Sequence, residues 1–288
     1  MRIELGGGTV VEVLRDGVFR LDGGAMFGVV PKPLWSRRKP SDERNRIRLG
    51  LNCLLVRAGG RMALADTGIG QGWSDKLRDI YGIEREPGLE TELRRRGLDP
   101  EELELVVLTH LHFDHAGGNT RPLEDGTLVP SFPRARYVVQ HGNLYEEALA
   151  PNELRRASYL PRTFMPVLEA GLFAPVRGDA ELWPGLEVVL TRGHALWHQS
   201  ILVRGAERTL FYPGDLVPTA AHLDPPYIMA YDHLPLETLA NKKRWLGQAA
   251  AERWLIVLEH EDTAPLGRVV RDGERFRWEP LEPGEVSG

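Results

Sequence analysis

The residues with the most evident chemistry form one short motif, His110-Leu111-His112-Phe113-Asp114-His115, which holds three of the nine histidines in the chain. Histidine offers a neutral nitrogen donor and aspartate an anionic oxygen, and this combination suits a borderline divalent cation such as zinc. In the extended turn that leaves a strand, positions i and i+2 point the same way, so His110 and His112 can reach one ion. Asp114 and His115 then face a second ion. The motif therefore predicts a metal site.

Other histidine and aspartate side chains follow apolar segments that are typical of strands. His194 comes after the apolar segment 186–191, Asp215 after Phe211-Tyr212, and His260 after 255–258. Open α/β architectures usually bind ligands at the carboxyl ends of their strands. We therefore expect these three side chains to join the motif in one site.

The spacing of apolar residues indicates an α/β chain. Strands are predicted over 9–14, 18–21, 51–56, 62–65 and 105–109, and helices over 73–81 and 89–96. Three further helices are predicted over 144–150, 152–158 and 165–170. No linker-like composition bounds these three helices, so we predict a single domain over 1–288 with a helical insertion at about 141–182.

A second copy of the strand arrangement occurs downstream. The segment 202–208 resembles 55–61, and each segment leads into an aspartate, Asp215 in one half and Asp66 in the other. From each aspartate the chain passes through a helical stretch to an apolar strand that ends in histidine, at nearly equal separations. Matched order and spacing favour two related halves that place their strand ends around one cleft.

The composition narrows the possible partners. The formal net charge is −5, with arginine and glutamate interspersed, which argues against a nucleic acid or an anionic membrane as the main partner. A small-molecule substrate is the expected partner. The single cysteine, Cys53, lies in an apolar run and is predicted to be a buried structural thiol. Without a signal-like or membrane-spanning apolar run, the expected location is cytoplasmic.

Taken together, the motifs resemble those of the metallo-β-lactamase superfamily of hydrolases, in the order in which that family carries them. The matching residues are Asp66-Thr67-Gly68, the motif from His110 to His115, Gly193-His194, Gly214-Asp215 and His260. The resemblance implies a four-layer αββα sandwich made of two related halves, with the site at one edge between the sheets. It also implies two divalent metal ions, with Zn²⁺ expected first and Mn²⁺, Fe²⁺ or Co²⁺ as alternatives.

The resemblance assigns a role to each matched residue. One metal is expected to bind His110, His112 and His194, and the other Asp114, His115 and His260. Asp215 is expected to bridge both metals. Asp66 is expected to hold a metal ligand in position without touching the metal.

A mechanism follows from the same resemblance. Two cations about 3.5 to 4 Å apart can share a hydroxide and polarise the carbonyl or phosphoryl oxygen that it attacks. Asp114 is the expected catalytic residue, which orients the hydroxide or passes a proton to the leaving group. We therefore predict a dinuclear hydrolase of small-molecule esters, lactones or phosphoesters. The alternatives are a nuclease of the same superfamily and a non-catalytic metal-binding scaffold or sensor.

Lactone hydrolases that act on quorum signals resemble the chain around 111–119 and 198–200. Their oxyanion-binding tyrosine lies three residues beyond the bridging aspartate, where this chain has Pro218. Tyr227 and Tyr231 are candidates to replace that tyrosine. Phosphotriesterase-like relatives remain possible for the same reason.

Three more residues are predicted to line the substrate pocket. Met26 and Phe27 lie in the glycine-flanked segment 23–31, which is predicted to form either a mobile pocket wall or a buried β-bulge. His222 follows the bridging aspartate closely, where loops are expected to overhang the metals.

Overall fold

Two mixed β-sheets packed face to face form the centre of the computed structural model, which describes residues 1–281. The strands are β1 (Arg2–Gly6), β2 (Thr9–Asp22), β3 (Arg46–Ala58), β4 (Arg61–Ala65), β5 (Leu105–Val107), β6 (Thr120–Pro122), β7 (Leu128–Pro130), β8 (Arg136–Val138), β9 (Ala180–Trp183), β10 (Leu186–Leu190), β11 (Gln199–Arg204), β12 (Thr209–Tyr212), β13 (Leu255–Val257), β14 (Leu266–Asp272) and β15 (Arg275–Pro280). The α-helices are α1 (Gly23–Phe27), α2 (Lys32–Trp35), α3 (Asp75–Tyr81), α4 (Leu89–Arg94), α5 (Phe113–Ala116), α6 (Pro161–Glu169) and α7 (Pro235–Ala251). Other helical turns lie at Pro100–Glu102, Gly117–Asn119, Asn143–Ala148, Gly214–Leu216 and Ala220–His222.

The two sheets repeat one local strand arrangement. The first sheet has the order β1-β2-β3-β4-β5-β8, and the second has the order β15-β14-β13-β12-β11-β10-β9. An antiparallel hairpin is followed by a parallel strand in each sheet: β3 and β4 precede β5, and β11 and β12 precede β13. This repeat corresponds to the two related halves expected from the sequence. It brings the carboxyl ends of β4, β5, β12 and β13 to one edge.

Alternating side chains along β3 produce the layered architecture. Leu54 and Val56 lie in the core between the two sheets, whereas Cys53 and Leu55 lie in the core on the outer face of the first sheet. Helices α4 and α6 contribute to that outer core, and α7 covers the outer face of the second sheet with Trp245 and other apolar side chains. The result is the predicted αββα sandwich. The Cys53 thiol is buried, as predicted, and burial raises its pKa well above the usual value.

Several predicted elements differ in the structure. The strands predicted over 9–14 and 18–21 form one strand, β2, whose register shifts between Arg15 and Gly17. The helix predicted over 152–158 is a run of turns, in which the Asn152 side chain accepts hydrogen bonds from the backbone N–H groups of Leu154 and Arg155. The segment 23–31 is not the β-bulge that was one of its two predicted forms: it begins with helix α1, whose first turn is capped by the Asp22 carboxylate.

Helix α7 is the longest helix of the described chain and carries a buried lysine. The Lys242 ammonium donates to the backbone oxygens of Asp224 at 2.9 Å and Tyr227 at 2.8 Å. Burial lowers the pKa of Lys242 to about 7, although Asp232 and Asp224 act in the opposite direction. The lysine thus ties α7 to the loop that follows Asp215. Within residues 1–281, no helix, α7 included, combines the length and apolar character needed to cross a bilayer.

Lys242 predicts a pH-dependent stability. Because its folded-state pKa is lowered to about 7 from 10.5, the unfolded chain holds about one more proton than the folded chain between these two pH values. This group therefore makes the free energy of unfolding rise by about 1.4 kcal/mol per pH unit between about pH 7.5 and 9.5. Chemical denaturation of wild type and Lys242→Met across this range should show that the variant lacks this slope.

The exposed neighbour Lys243 provides the matched control, because Lys243→Met should keep the wild-type slope. The titratable groups close to Lys242, namely Asp224, Asp232 and His222, are present in all three proteins. Equal pH slopes for wild type and Lys242→Met would contradict the prediction.

Candidate metal centre

Seven side chains predicted as metal ligands lie together at the strand ends. The donor atoms of His110, His112 and His194 form one buried group, and those of Asp114, His115 and His260 form another, with all donors of a group within 4.8 Å of one another. Asp215 lies between the groups. Its Oδ2 is 3.1 Å from Nε2 of His194, and its Oδ1 is 3.1 Å from Nε2 of His260. One carboxylate therefore contacts both groups.

Asp66 holds the base of the site from the end of β4. Its two carboxylate oxygens accept hydrogen bonds of 2.7 Å from the backbone N–H and the hydroxyl of Thr109. Oδ2 of Asp66 also lies 3.1 Å from Nδ1 of His115. A proton on Nδ1 leaves Nε2 of the imidazole free to face the second group. This is the position that the resemblance assigned to Asp66.

Two other carboxylates that contact predicted ligands were not predicted from the sequence. Glu259 Oε2 lies 2.9 Å from His115 Nδ1, and Asp232 Oδ1 lies 3.0 Å from His194 Nδ1. Glu259 directly precedes His260 at a strand end, and this position is the only signal that the sequence offered for it. For Asp232 we find no such signal, since its contact depends on the path of the loop before α7.

The charges in the site are strongly coupled. Burial would raise the pKa of Asp215, but the imidazoles of His194, His260 and His115 hold it well below its usual range. Burial, together with the neighbouring imidazoles, lowers the pKa of His110 well below its ordinary value. His110 is therefore neutral near pH 7 and its ring keeps an unprotonated nitrogen.

The donor set fits a divalent metal. Among the described residues, Nε2 of His110 and Nε2 of His115 are buried without a hydrogen-bond partner. Leaving such a group unpaired in the interior costs about 1 to 3 kcal/mol. Neutral imidazoles and carboxylates are the ligands of zinc and similar cations, and a cation bound at each donor group would satisfy the unpaired nitrogen there.

A cavity of about 150 Å³ lies above the donor groups. Its floor contains His112, Asp114, His194, Asp215 and His260, and its walls are Leu21, Met26, Tyr81, Phe113, Ala157, Ser158, Met229 and Tyr231. A cavity of this size holds a group about as large as benzene. The site therefore presents polar donors beneath a mainly apolar wall.

Of the five predicted pocket residues, Met26 and Tyr231 line this cavity. Phe27, His222 and Tyr227 lie behind the wall, which corrects the sequence prediction. The Phe27 ring is fully buried and stacks on His222, with ring centres 4.4 Å apart, while Tyr227 packs against its edge. Nε2 of His222 donates to the backbone oxygen of Met26 at 2.8 Å. These three side chains therefore support the wall instead of forming it.

Comparisons with known proteins agree with this architecture. An N-acyl homoserine lactonase of Bacillus cereus is 28% identical over 169 residues, which cover 55% of this chain and 60% of that protein. The match thus spans less than two thirds of the lactonase. A "probable metal-dependent hydrolase" from Staphylococcus aureus has a TM-score of 0.89 at 29% identity, covering 97% of this chain and 99% of that chain.

The fold alone is shared with AidC, a dizinc quorum-quenching lactonase, at a TM-score of 0.78 and 20% identity over 98% of this chain and 97% of that chain. The sequence model of the metallo-beta-lactamase superfamily matches residues 47–260, which include all seven predicted ligands. The chain belongs to the metallo-beta-lactamase superfamily.

Proposed function

We propose that this protein is a dinuclear metal-dependent hydrolase that opens lactones. The observation that carries the proposal is the pair of donor groups that share Asp215 beneath an apolar cavity. The lactonase activity of the relative from Bacillus cereus supports a lactone over other esters and phosphoesters. The cytoplasmic location predicted from the sequence is kept as part of this proposal.

Two divalent ions, with zinc preferred, would be held by the ligands that the resemblance assigned. His110, His112 and His194 would hold one ion, and Asp114, His115 and His260 the other, with Asp215 on both. The dizinc composition of AidC supports zinc as the metal. When bound, such a pair of ions acidifies water and polarises the carbonyl group that the water attacks.

Asp114 is the residue proposed to move a proton. It lines the cavity, and its Oδ2 lies 3.6 Å from Nε2 of His260. Opening a lactone breaks the bond between the carbonyl carbon and the ring oxygen, and that oxygen must gain a proton as it leaves. We propose that the Asp114 carboxylate accepts the proton released when the water oxygen bonds to the carbonyl carbon, and that it passes this proton to the ring oxygen.

Tyr231 and Tyr81 are proposed to bind the substrate carbonyl group. Both side chains line the cavity, and Tyr231 is one of the two candidates for the tyrosine that Pro218 replaces. Burial raises the pKa of Tyr231 to about 12, so its phenol remains a hydrogen-bond donor at neutral pH. A donor aimed at the carbonyl oxygen stabilises the charge that develops there during attack. Tyr227, the other candidate, lies behind the wall.

The first prediction from the proposed function concerns metal content. Wild-type protein that is loaded with zinc and then freed of excess metal should retain two zinc ions per chain, as measured by elemental mass spectrometry. Asp215→Ala should retain one or none, because this carboxylate contacts both donor groups. Asp125→Ala, at an exposed turn, should retain the wild-type content. Equal zinc content in all three proteins would contradict the role of Asp215.

The second prediction concerns turnover. Zinc-loaded protein should hydrolyse lactones faster than aryl esters, phosphotriesters or phosphodiesters in a pH-indicator assay. Asp114→Asn should lower kcat about 10²- to 10⁴-fold, which is the usual contribution of a proton-transfer group. Metal content measured on the same samples separates lost chemistry from lost metal. Absence of turnover on the whole panel by protein with two bound ions would instead favour the non-catalytic scaffold.

The third prediction separates the two candidate tyrosines. Tyr231→Phe should lower kcat for a lactone by about 10²-fold, because it removes a donor to the developing oxyanion. Tyr227→Phe keeps the ring that packs behind the wall and should change kcat by less than about twofold. The two variants are compared under saturating substrate. Similar kcat values for both variants would remove Tyr231 from the mechanism.

A further inference from the structure

A buried carboxylate, that of Asp232, contacts the edge of the His194 ring that faces away from the other donors. Neither the sequence motifs nor the family match assigns a role to Asp232. Nδ1 of His194 lies 3.0 Å from Oδ1 of Asp232, while Nε2 of His194 faces the donor cluster at 3.0 Å from Nδ1 of His112. Asp232 is only 6% exposed. A buried carboxylate needs partners, and the His194 ring is one of them.

The second partner of Asp232 is a hydroxyl on α7. Thr238 Oγ1 donates to Asp232 Oδ2 at 2.7 Å. The same three residue types occur at the other donor group, where Thr109 Oγ1 donates to Asp66 Oδ2 at 2.7 Å and Asp66 contacts His115. Each donor group is therefore held by a threonine, an aspartate and a histidine in series.

We propose that Asp232 is a positioning residue that fixes the tautomer and ring orientation of His194 for metal binding, with Thr238 holding the carboxylate in place. The Nδ1–H group of His194 donates a hydrogen bond to Asp232, so the lone pair on Nε2 points at the other metal-type donors. The inference rests on the proposed metal centre, but it concerns a contact that the metal itself does not make.

Two backbone hydrogen bonds also join the loop that contains Asp232 to the segment that contains His194. The N–H of His233 donates to the carbonyl of His194 at 3.1 Å, and the N–H of Leu234 donates to the carbonyl of Gly193 at 2.8 Å. Both bonds use backbone atoms, so a substitution of the Asp232 side chain removes neither of them.

The test is a titration of metal-free protein with Co²⁺, followed by the visible absorption of the bound ion, with zinc competition for the affinities. Asp232→Ala should lower the metal affinity of the more strongly affected of the two sites about 10- to 100-fold. This is the usual cost of removing the hydrogen-bond partner of a metal-binding histidine. Asp232→Asn should lose less metal affinity, because the amide oxygen of the asparagine still accepts a hydrogen bond from Nδ1 of His194. Thr238→Val should show a smaller loss in the same direction.

Asp224→Asn is the matched control. Asp224 is also 6% exposed and lies in the same loop, but its carboxylate pairs with Arg38. This variant should bind both ions with wild-type affinity. Thermal unfolding of each metal-free variant shows whether it folds, and if Asp232→Ala does not, Asp232→Asn and Thr238→Val carry the test.

The outcomes separate this inference from the function on which it rests. Wild-type protein that binds no cobalt or zinc would overturn the metal centre itself, and the inference with it. Wild-type protein that binds two ions, together with Asp232 variants of unchanged affinity and unchanged cobalt spectrum, would overturn only the role of Asp232. The positioning role of Asp232 is supported if metal affinity falls in the Asp232 and Thr238 variants and stays unchanged in Asp224→Asn.

Discussion

Burial of many metal-type donors at one point is the constraint on which the rest of this structure depends. Imidazoles and carboxylates from distant parts of the chain meet where water is largely excluded, and buried nitrogens of His110 and His115 have no hydrogen-bond partner among the described residues. Such an arrangement costs free energy unless a cation binds the donors. The folded chain is therefore expected to be most stable with metal bound, because binding energy adds to folding energy.

The fold reduces this cost by placing each donor at the end of a strand and fixing its far side. The two halves each bring a hairpin and a parallel strand to the same edge, so the backbone positions the donors before any metal arrives. Outer partners then set the orientation of the rings: Asp66 contacts His115, Asp232 contacts His194, and Nδ1 of His260 donates to the carbonyl of Gly50 at 2.8 Å. Rigid supports of this kind leave little reorganisation to metal binding.

The sequence could predict that these histidine and aspartate side chains come together, because each follows an apolar run that is recognisable as a strand. It could not predict Asp232 or Glu259, because their contacts depend on how a loop and a strand end approach His194 and His115 in the folded chain. The sequence prediction of the pocket-lining residues was incomplete for the same reason. Phe27 and His222 were predicted to line the pocket, but they stack on each other behind the wall, where both side chains are buried.

The central claim is that two metals occupy the shared donor site, and crystals of zinc-loaded protein test it most directly. Anomalous scattering measured on both sides of the zinc absorption edge locates each ion independently of the protein coordinates. We predict two peaks per chain, one bounded by His110, His112 and His194 and the other by Asp114, His115 and His260, with Asp215 against both. A single peak in the site, or zinc found only at other positions on the protein, would contradict the dinuclear centre and the chemistry proposed from it.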